Sequence, residues 1–166
     1  MKTLYIVRHA KSSWDNFSLD DHDRPLSKTG IRKTDRIIKY LKKNKVKPEI
    51  FVSSSALRAK ETAFQIAKGL GYPIEKVIIE IPLYHADTNT IFSTLYGLPD
   101  DTHSVMVFGH NPTLTYFVND FLSPEIDNLP TTGVVSIGFK TDKWEKISEA
   151  KYLINFVVFP RMVKSD

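Results

Sequence analysis

Two apolar runs in this chain end on histidine. Residues 4–7 lead directly into Arg8-His9-Ala10-Lys11-Ser12, and residues 105–108 lead into Gly109-His110-Asn111-Pro112. A charge at the end of a buried strand is costly unless it meets an anion or a carboxylate. Ligands of open α/β sheets bind in the crevice outside the carboxyl ends of the strands, and a guanidinium can fork onto phosphate oxygens. Arg8, His9 and His110 therefore read as a group that handles an anion. Arg58 is a fourth candidate, since it follows Ser53-Ser54-Ser55-Ala56-Leu57. With Ser55 as N-cap it stands in the first helical turn, against the positive end of the helix dipole. An anion held by Arg58 and the helix amides reverses that unfavourable placement. The acid close to Arg58 on the same helix is Glu61, and a salt bridge is the ordinary alternative.

The elements that must position these side chains alternate along the chain. Strands are expected at residues 4–7, 50–52, 77–79, 105–108 and 134–139, with further ones at 144–147 and 152–157. Between them, residues 28–43 place Ile31, Ile38 and Leu41 at helical spacing behind Ser27, whose hydroxyl is a suitable N-cap. A helix over residues 56–70 puts Leu57, Phe64 and Ala67 on its apolar face and ends at Gly71. A shorter helix is expected over 89–96. Another runs from Pro112, capped by Asn111, through Phe121. Strands interleaved with helices imply a three-layer α/β sandwich with a mostly parallel central sheet flanked by helices. No repeat or linker divides residues 1–166, so one domain is expected. Residues 10–27 break the rhythm: they are polar and without clear period, yet hold Trp14 and Phe17. A lid and a surface excursion both fit them.

Composition narrows the chemistry. With no cysteine, disulfides, thiolate nucleophiles and the cysteine-based phosphatase mechanism are excluded. A net charge of +4 suits phosphorylated ligands but is too small to argue for nucleic acid. The basic stretch from Lys39 to Lys47 has Tyr40 as its one interleaved aromatic, which is no stacking platform. No leader-like segment precedes the first strand and no apolar run approaches about 18 residues. A cytoplasmic protein without membrane or nucleic-acid partners, and monomeric, is the expectation.

Four segments taken in order form a recognisable set: Arg8-His9-Ala10-Lys11-Ser12, Asp23-Arg24-Pro25-Leu26-Ser27-Lys28-Thr29-Gly30, Ser53-Ser54-Ser55-Ala56-Leu57-Arg58-Ala59 and Gly109-His110-Asn111-Pro112. They resemble the histidine phosphatase superfamily (phosphoglycerate mutase-like), and more narrowly its small SixA-type phosphohistidine phosphatases. Leu129-Pro130-Thr131-Thr132-Gly133 is similar to a later family segment, so the likeness covers nearly the whole chain. The resemblance implies His9 as the nucleophile that accepts the phosphoryl group, and Arg8, Arg58 and His110 as the rest of the phosphate pocket. Lys11, Ser12 and His85 are further candidates for contact with substrate. It implies no metal and no cofactor, with three cationic groups, protonated His110 among them, supplying the positive charge.

Relatives acting on phosphate esters carry a carboxylate acid after the third strand. Here that neighbourhood reads Glu80-Ile81-Pro82-Leu83-Tyr84-His85-Ala86-Asp87, and the aligned position falls near His85. The SixA-type subgroup lacks this acid, and the labile P–N bond of a phosphoramidate needs less proton help than an alkoxide does. Phosphohistidine on a protein is the expected substrate, with a small phosphate ester or mutase substrate as the alternative. Two other readings remain: a phosphate-binding module without turnover, and a metal phosphatase built on Asp21-His22-Asp23. The latter lacks the hydrophobic strand that an Asp-x-Asp nucleophile should follow.

Overall fold

The computed structural model describes residues 1–164. Six strands form one mixed sheet: β1 (Lys2–Arg8), β2 (Ile50–Ser54), β3 (Ile78–Glu80), β4 (Ser104–Gly109), β5 (Val134–Phe139) and β6 (Tyr152–Val158). Their order is β3-β2-β4-β1-β5-β6. The first four in that order are parallel, while β5 and β6 are added antiparallel. Helices α1 (Lys28–Lys43), α2 (Leu57–Leu70), α3 (Thr88–Tyr96) and α4 (Thr113–Asn119) complete the three layers. Among the described residues no helix is long and apolar enough to cross a membrane.

The period of two in β1 decides which face each residue serves. Leu4 and Ile6 join the core beneath α3 and α4, which holds Ile91, Leu95, Leu114 and Phe117. Val7 turns to the opposite core, against Ile37, Leu41, Ala63 and Ile66 of α1 and α2. Central strands covered on both faces must be apolar throughout, and β5 is buried at all six positions.

Several local expectations shift. Ile31 lies on the exposed side of α1, whose buried face is Gly30, Thr34, Ile37, Ile38 and Leu41. On α2 the buried residues are Arg58, Ala59, Thr62, Ala63, Ile66 and Ala67, while Leu57 and Phe64 are half-buried. Small residues let that helix approach the sheet, so the largest apolar side chains do not mark its inner face. Residues 144–147 form no strand; Trp144–Lys146 is a 3-10 helix that buries its indole under a hydrogen bond to the Thr102 carbonyl (2.8 Å). Helix α4 begins at Thr113 and ends at Asn119. Asn111 still satisfies its amino end, accepting from the Thr115 amide at 3.1 Å.

Candidate active site

Strand register places the two histidines side by side. In the parallel β1–β4 pair Arg8 is opposite Gly109, so His9 and His110 leave their strands at the same level. The His9 amide donates to the Gly109 carbonyl (3.1 Å), and the two ring centroids lie 5.1 Å apart. On the other flank of β4, β2 brings Ser53 opposite Phe108. The next residue, Ser54, therefore reaches His110, with 2.7 Å between its Oγ and the ring Nε2.

His9 is held in one orientation. Its Nδ1 lies 2.7 Å from the Ala10 carbonyl, an acceptor only, so Nδ1 carries the proton and Nε2 is left as the basic nitrogen. The Ala10 amide in turn donates to Thr62 Oγ1 on α2 (2.9 Å). Burial, opposed by the Ala10 bond and reinforced by Arg58, Arg8 and Arg24, pushes the His9 pKa down to about 4. The ring is neutral at physiological pH. His110 behaves alike: burial first, then His9 and Arg58, lower it to about 3, with Asp21 acting against them. The protein therefore presents His110 as neutral imidazole rather than the imidazolium expected from the sequence. An anion held beside it would supply the negative charge that favours protonation.

Arg8, His9, Lys11, Ser12, Arg24 and Arg58 line one cleft of about 270 Å³, with Trp14 and Thr131 at its edges. Arg8 donates to the Leu129 carbonyl (3.1 Å), and its Nε is a buried donor without a hydrogen-bond partner; His110 Nδ1 is likewise buried and unpaired. Buried polar atoms left unpaired call for an explanation, and an incoming anion gives Arg8 Nε its acceptor. The backbone is strained beside it: Thr132, whose amide donates to the Arg8 carbonyl (3.0 Å), has φ +54°. A β-branched residue in that region is a genuine outlier of the kind that clusters at functional sites.

The structure gathers five of the expected residues, Arg8, His9, Arg58, Lys11 and Ser12, on this cleft, with His110 adjoining His9. His85 is exposed, lies against Tyr84 with tilted rings 4.0 Å apart between centroids, and shares with His110 a second pocket of about 210 Å³. Ser55 does not cap α2 either. The helix starts after Ala56, and the Ala56 amide is taken by Ser54 Oγ (3.2 Å).

The acid paired with Arg58 comes from a distant loop. Asp21 accepts from Arg58 through its backbone carbonyl (2.7 Å) and its Oδ2 (3.0 Å), from Arg24 through Oδ1 (3.1 Å), and from the Tyr84 hydroxyl (2.6 Å). The Tyr84 bond first, then Arg58 and Arg24, hold its carboxyl well below the usual carboxylate range. Glu61 instead accepts from the Leu26 amide (3.0 Å) and fastens the end of the same loop. Arg24, Asp21, Tyr84 and Ser54 are the site residues that sequence reasoning missed. Asp21 and Ser54 lay within the segments Asp21-His22-Asp23 and Ser53-Ser54-Ser55, and Arg24 was the arginine of Asp23-Arg24-Pro25-Leu26. It is buried, stacks 3.2 Å over the Trp14 ring, and bonds Ser12 Oγ and the Ser13 carbonyl.

Known proteins resemble this chain in sequence and in fold. Residues 4–80 match the model of the histidine phosphatase superfamily (branch 1). An uncharacterised chloroplastic protein of Arabidopsis thaliana is 34% identical over 119 residues, 66% of this chain and 54% of the plant protein. The chain thus spans about half the length of that relative. The phosphohistidine phosphatase SixA of Escherichia coli is 26% identical over 134 residues, 80% of this chain and 82% of its own. Among solved structures, protein histidine phosphatase SixA complexed with tungstate superimposes with a TM-score of 0.81 at 24% identity, covering 98% of this chain and 99% of that one. Residues 4–80 thus resemble the histidine phosphatase superfamily, and the fold over nearly the whole chain is that of the SixA structure.

Proposed function

We propose that this chain is a metal-independent phosphohistidine phosphatase working through a phosphorylated His9. The observation that carries the reading is His9 itself: a neutral ring, Nδ1 tied to the Ala10 carbonyl, Nε2 left as nucleophile. Nε2 attacks phosphorus, the bond from phosphorus to the leaving imidazole nitrogen breaks, and the imidazole, already protonated from solvent at its other nitrogen, departs neutral. Water then attacks the phosphohistidine, the P–Nε2 bond breaks, and inorganic phosphate leaves. Charge spread over the equatorial phosphoryl oxygens meets Arg8, Arg24 and Arg58, fixed before substrate arrives. These side chains supply the positive charge for which other phosphatases use a metal ion.

The carboxylates favour a P–N over a P–O substrate. An ester needs a donor for its leaving oxygen. Asp21 is held ionised by Tyr84 and two arginines, and Asp87 spends its side chain capping α3 (2.9 Å to the Thr90 amide). A protein-borne substrate is supported by the loop flanking the cleft, where Trp14 is 64% exposed and Phe17 90% exposed. Steady-state kinetics in excess chelator, with a phosphohistidine-bearing protein and an alkyl phosphate ester, test the proposal. The phosphoramidate should turn over by orders of magnitude faster. Comparable ester hydrolysis would move the assignment to a small-molecule phosphatase, and loss of activity in chelator would return it to a metal enzyme.

A further inference from the structure

We infer that Asp21 is a positioning residue of the phosphoryl pocket: its single carboxylate, bridging Arg24 and Arg58 and fastened by Tyr84, sets where two of the cleft's three arginines stand. The inference rests on the proposed phosphoryl transfer and adds a component to it. From the sequence, Asp21 belongs to an exposed loop triplet; in the fold it joins three segments far apart in the chain.

The geometry separates positioning from the other roles a carboxylate could have here. Each guanidinium carries five N–H donors. Asp21 takes two positions on Arg58 and one on Arg24, whose other bonds go to Ser12 and Ser13. Donors on Arg58 therefore remain for a phosphoryl group while the guanidinium plane is fixed. Asp21 is itself held from behind. The Tyr84 hydroxyl donates to Oδ2, and the next residue, His22, has its Nε2 2.9 Å from Ser55 Oγ and packs edge-on against Tyr84 at 4.7 Å. The short 3-10 helix Asp21–Asp23 is thus pinned to the start of α2 and to Tyr84 by contacts independent of the arginines.

A purely stabilising ion pair is the first rival, and exposure argues against it. The Asp21 side chain is 50% exposed, so water screens its end of pairs whose arginines are 9% and 10% exposed, and their contribution to folding stability is small. A carboxylate that merely occupies the anion site is the second rival. It makes the opposite prediction, because removing a negative charge that competes with phosphate must tighten anion binding.

The experiment measures vanadate inhibition, kcat/KM toward a phosphohistidine-bearing protein, and thermal midpoint for wild type, Asp21→Asn, Asp21→Glu and Tyr84→Phe. Asp21→Asn keeps shape but loses charge. It should weaken vanadate by about ten- to a hundredfold and lower kcat/KM by a similar factor, with a nearly unchanged thermal midpoint. Tyr84→Phe should give a smaller loss in the same direction, and Asp21→Glu should restore part of it. Tighter vanadate binding in Asp21→Asn, or a lowered midpoint with unchanged vanadate affinity, would overturn the inference. A wild-type protein that neither binds vanadate nor turns over phosphohistidine would instead overturn the proposed reaction, so the two failures are distinguishable.

Discussion

The site has two walls built on different principles. The inner wall, Arg8, His9, Ser54 and His110, hangs from the ends of β1, β2 and β4, where strand register alone sets the spacing. The outer wall, Asp21, Arg24 and Trp14, belongs to the connection between β1 and α1 and is held by side chains: a carboxylate on two arginines and a guanidinium stacked on an indole. A strand cannot shift by one residue without exposing its core face, so the inner wall is fixed by the hydrophobic effect. The outer wall is fixed by polar contacts that water can replace. Chemistry that tolerates no displacement stands on the first, and its electrostatic surroundings are completed by the second.

That contrast can be tested on either side. Removing the α2 charge that the outer wall holds in place should be most damaging to function: Arg58→Ala should lower kcat/KM by roughly 10²- to 10³-fold, the usual cost of deleting one donor to transition-state charge, while circular dichroism reports an intact fold. A loss below about fivefold would mean that Arg24 and Arg8 suffice.

The two buried histidines also make a prediction about stability. Their pKa values fall from 6.5 to about 4 and about 3 in the folded protein. Between about pH 6.5 and pH 4 the unfolded chain binds protons that the folded chain refuses, so stability must decline as the pH falls through that window. The contribution is fully present above pH 6.5. Replacing both residues by glutamine should flatten the thermal midpoint across that range, and an equally steep decline in the double variant would place its origin elsewhere.

The junction of the two walls gives a smaller effect. A Cβ on Gly30 would lie 2.2 Å from the Lys11 carbonyl oxygen, which also accepts from the Ser27 amide and hydroxyl. Gly30→Ala must push the segment after His9 outward, at about 1–3 kcal/mol of stability by the usual scale of overpacking, and denaturant titration reads it directly. Trp14→Ala, which unstacks Arg24, should cost only about 0.5–1 kcal/mol. A larger effect than that of Gly30→Ala would invert the ranking of the two contacts.

The same contrast explains what was legible in the sequence. Strand ends announce themselves, because four apolar residues followed by Arg8-His9, or by Gly109-His110, can be read from neighbours alone. The parallel sheet and both histidines followed from that. Asp21 meets Arg58 across 37 positions, and no periodicity encodes that separation, so the acid sought on α2 itself was found on the loop. Tyr84 was passed over for the same reason, while His85 beside it was chosen; both line the second pocket with His110. The apolar face of α2 was misjudged because its inner residues are mostly alanine and threonine, which hydrophobicity ranks below Leu57 and Phe64.

One measurement bears most directly on the central claim that His9 carries the phosphoryl group. Wild-type protein is mixed with a phosphohistidine-bearing protein, quenched at alkaline pH to preserve phosphoramidates, and mapped by mass spectrometry. The account predicts acid-labile phosphate on His9, with no label and no turnover in His9→Ala. Turnover that persists in His9→Ala, or a label confined to another residue, would contradict it.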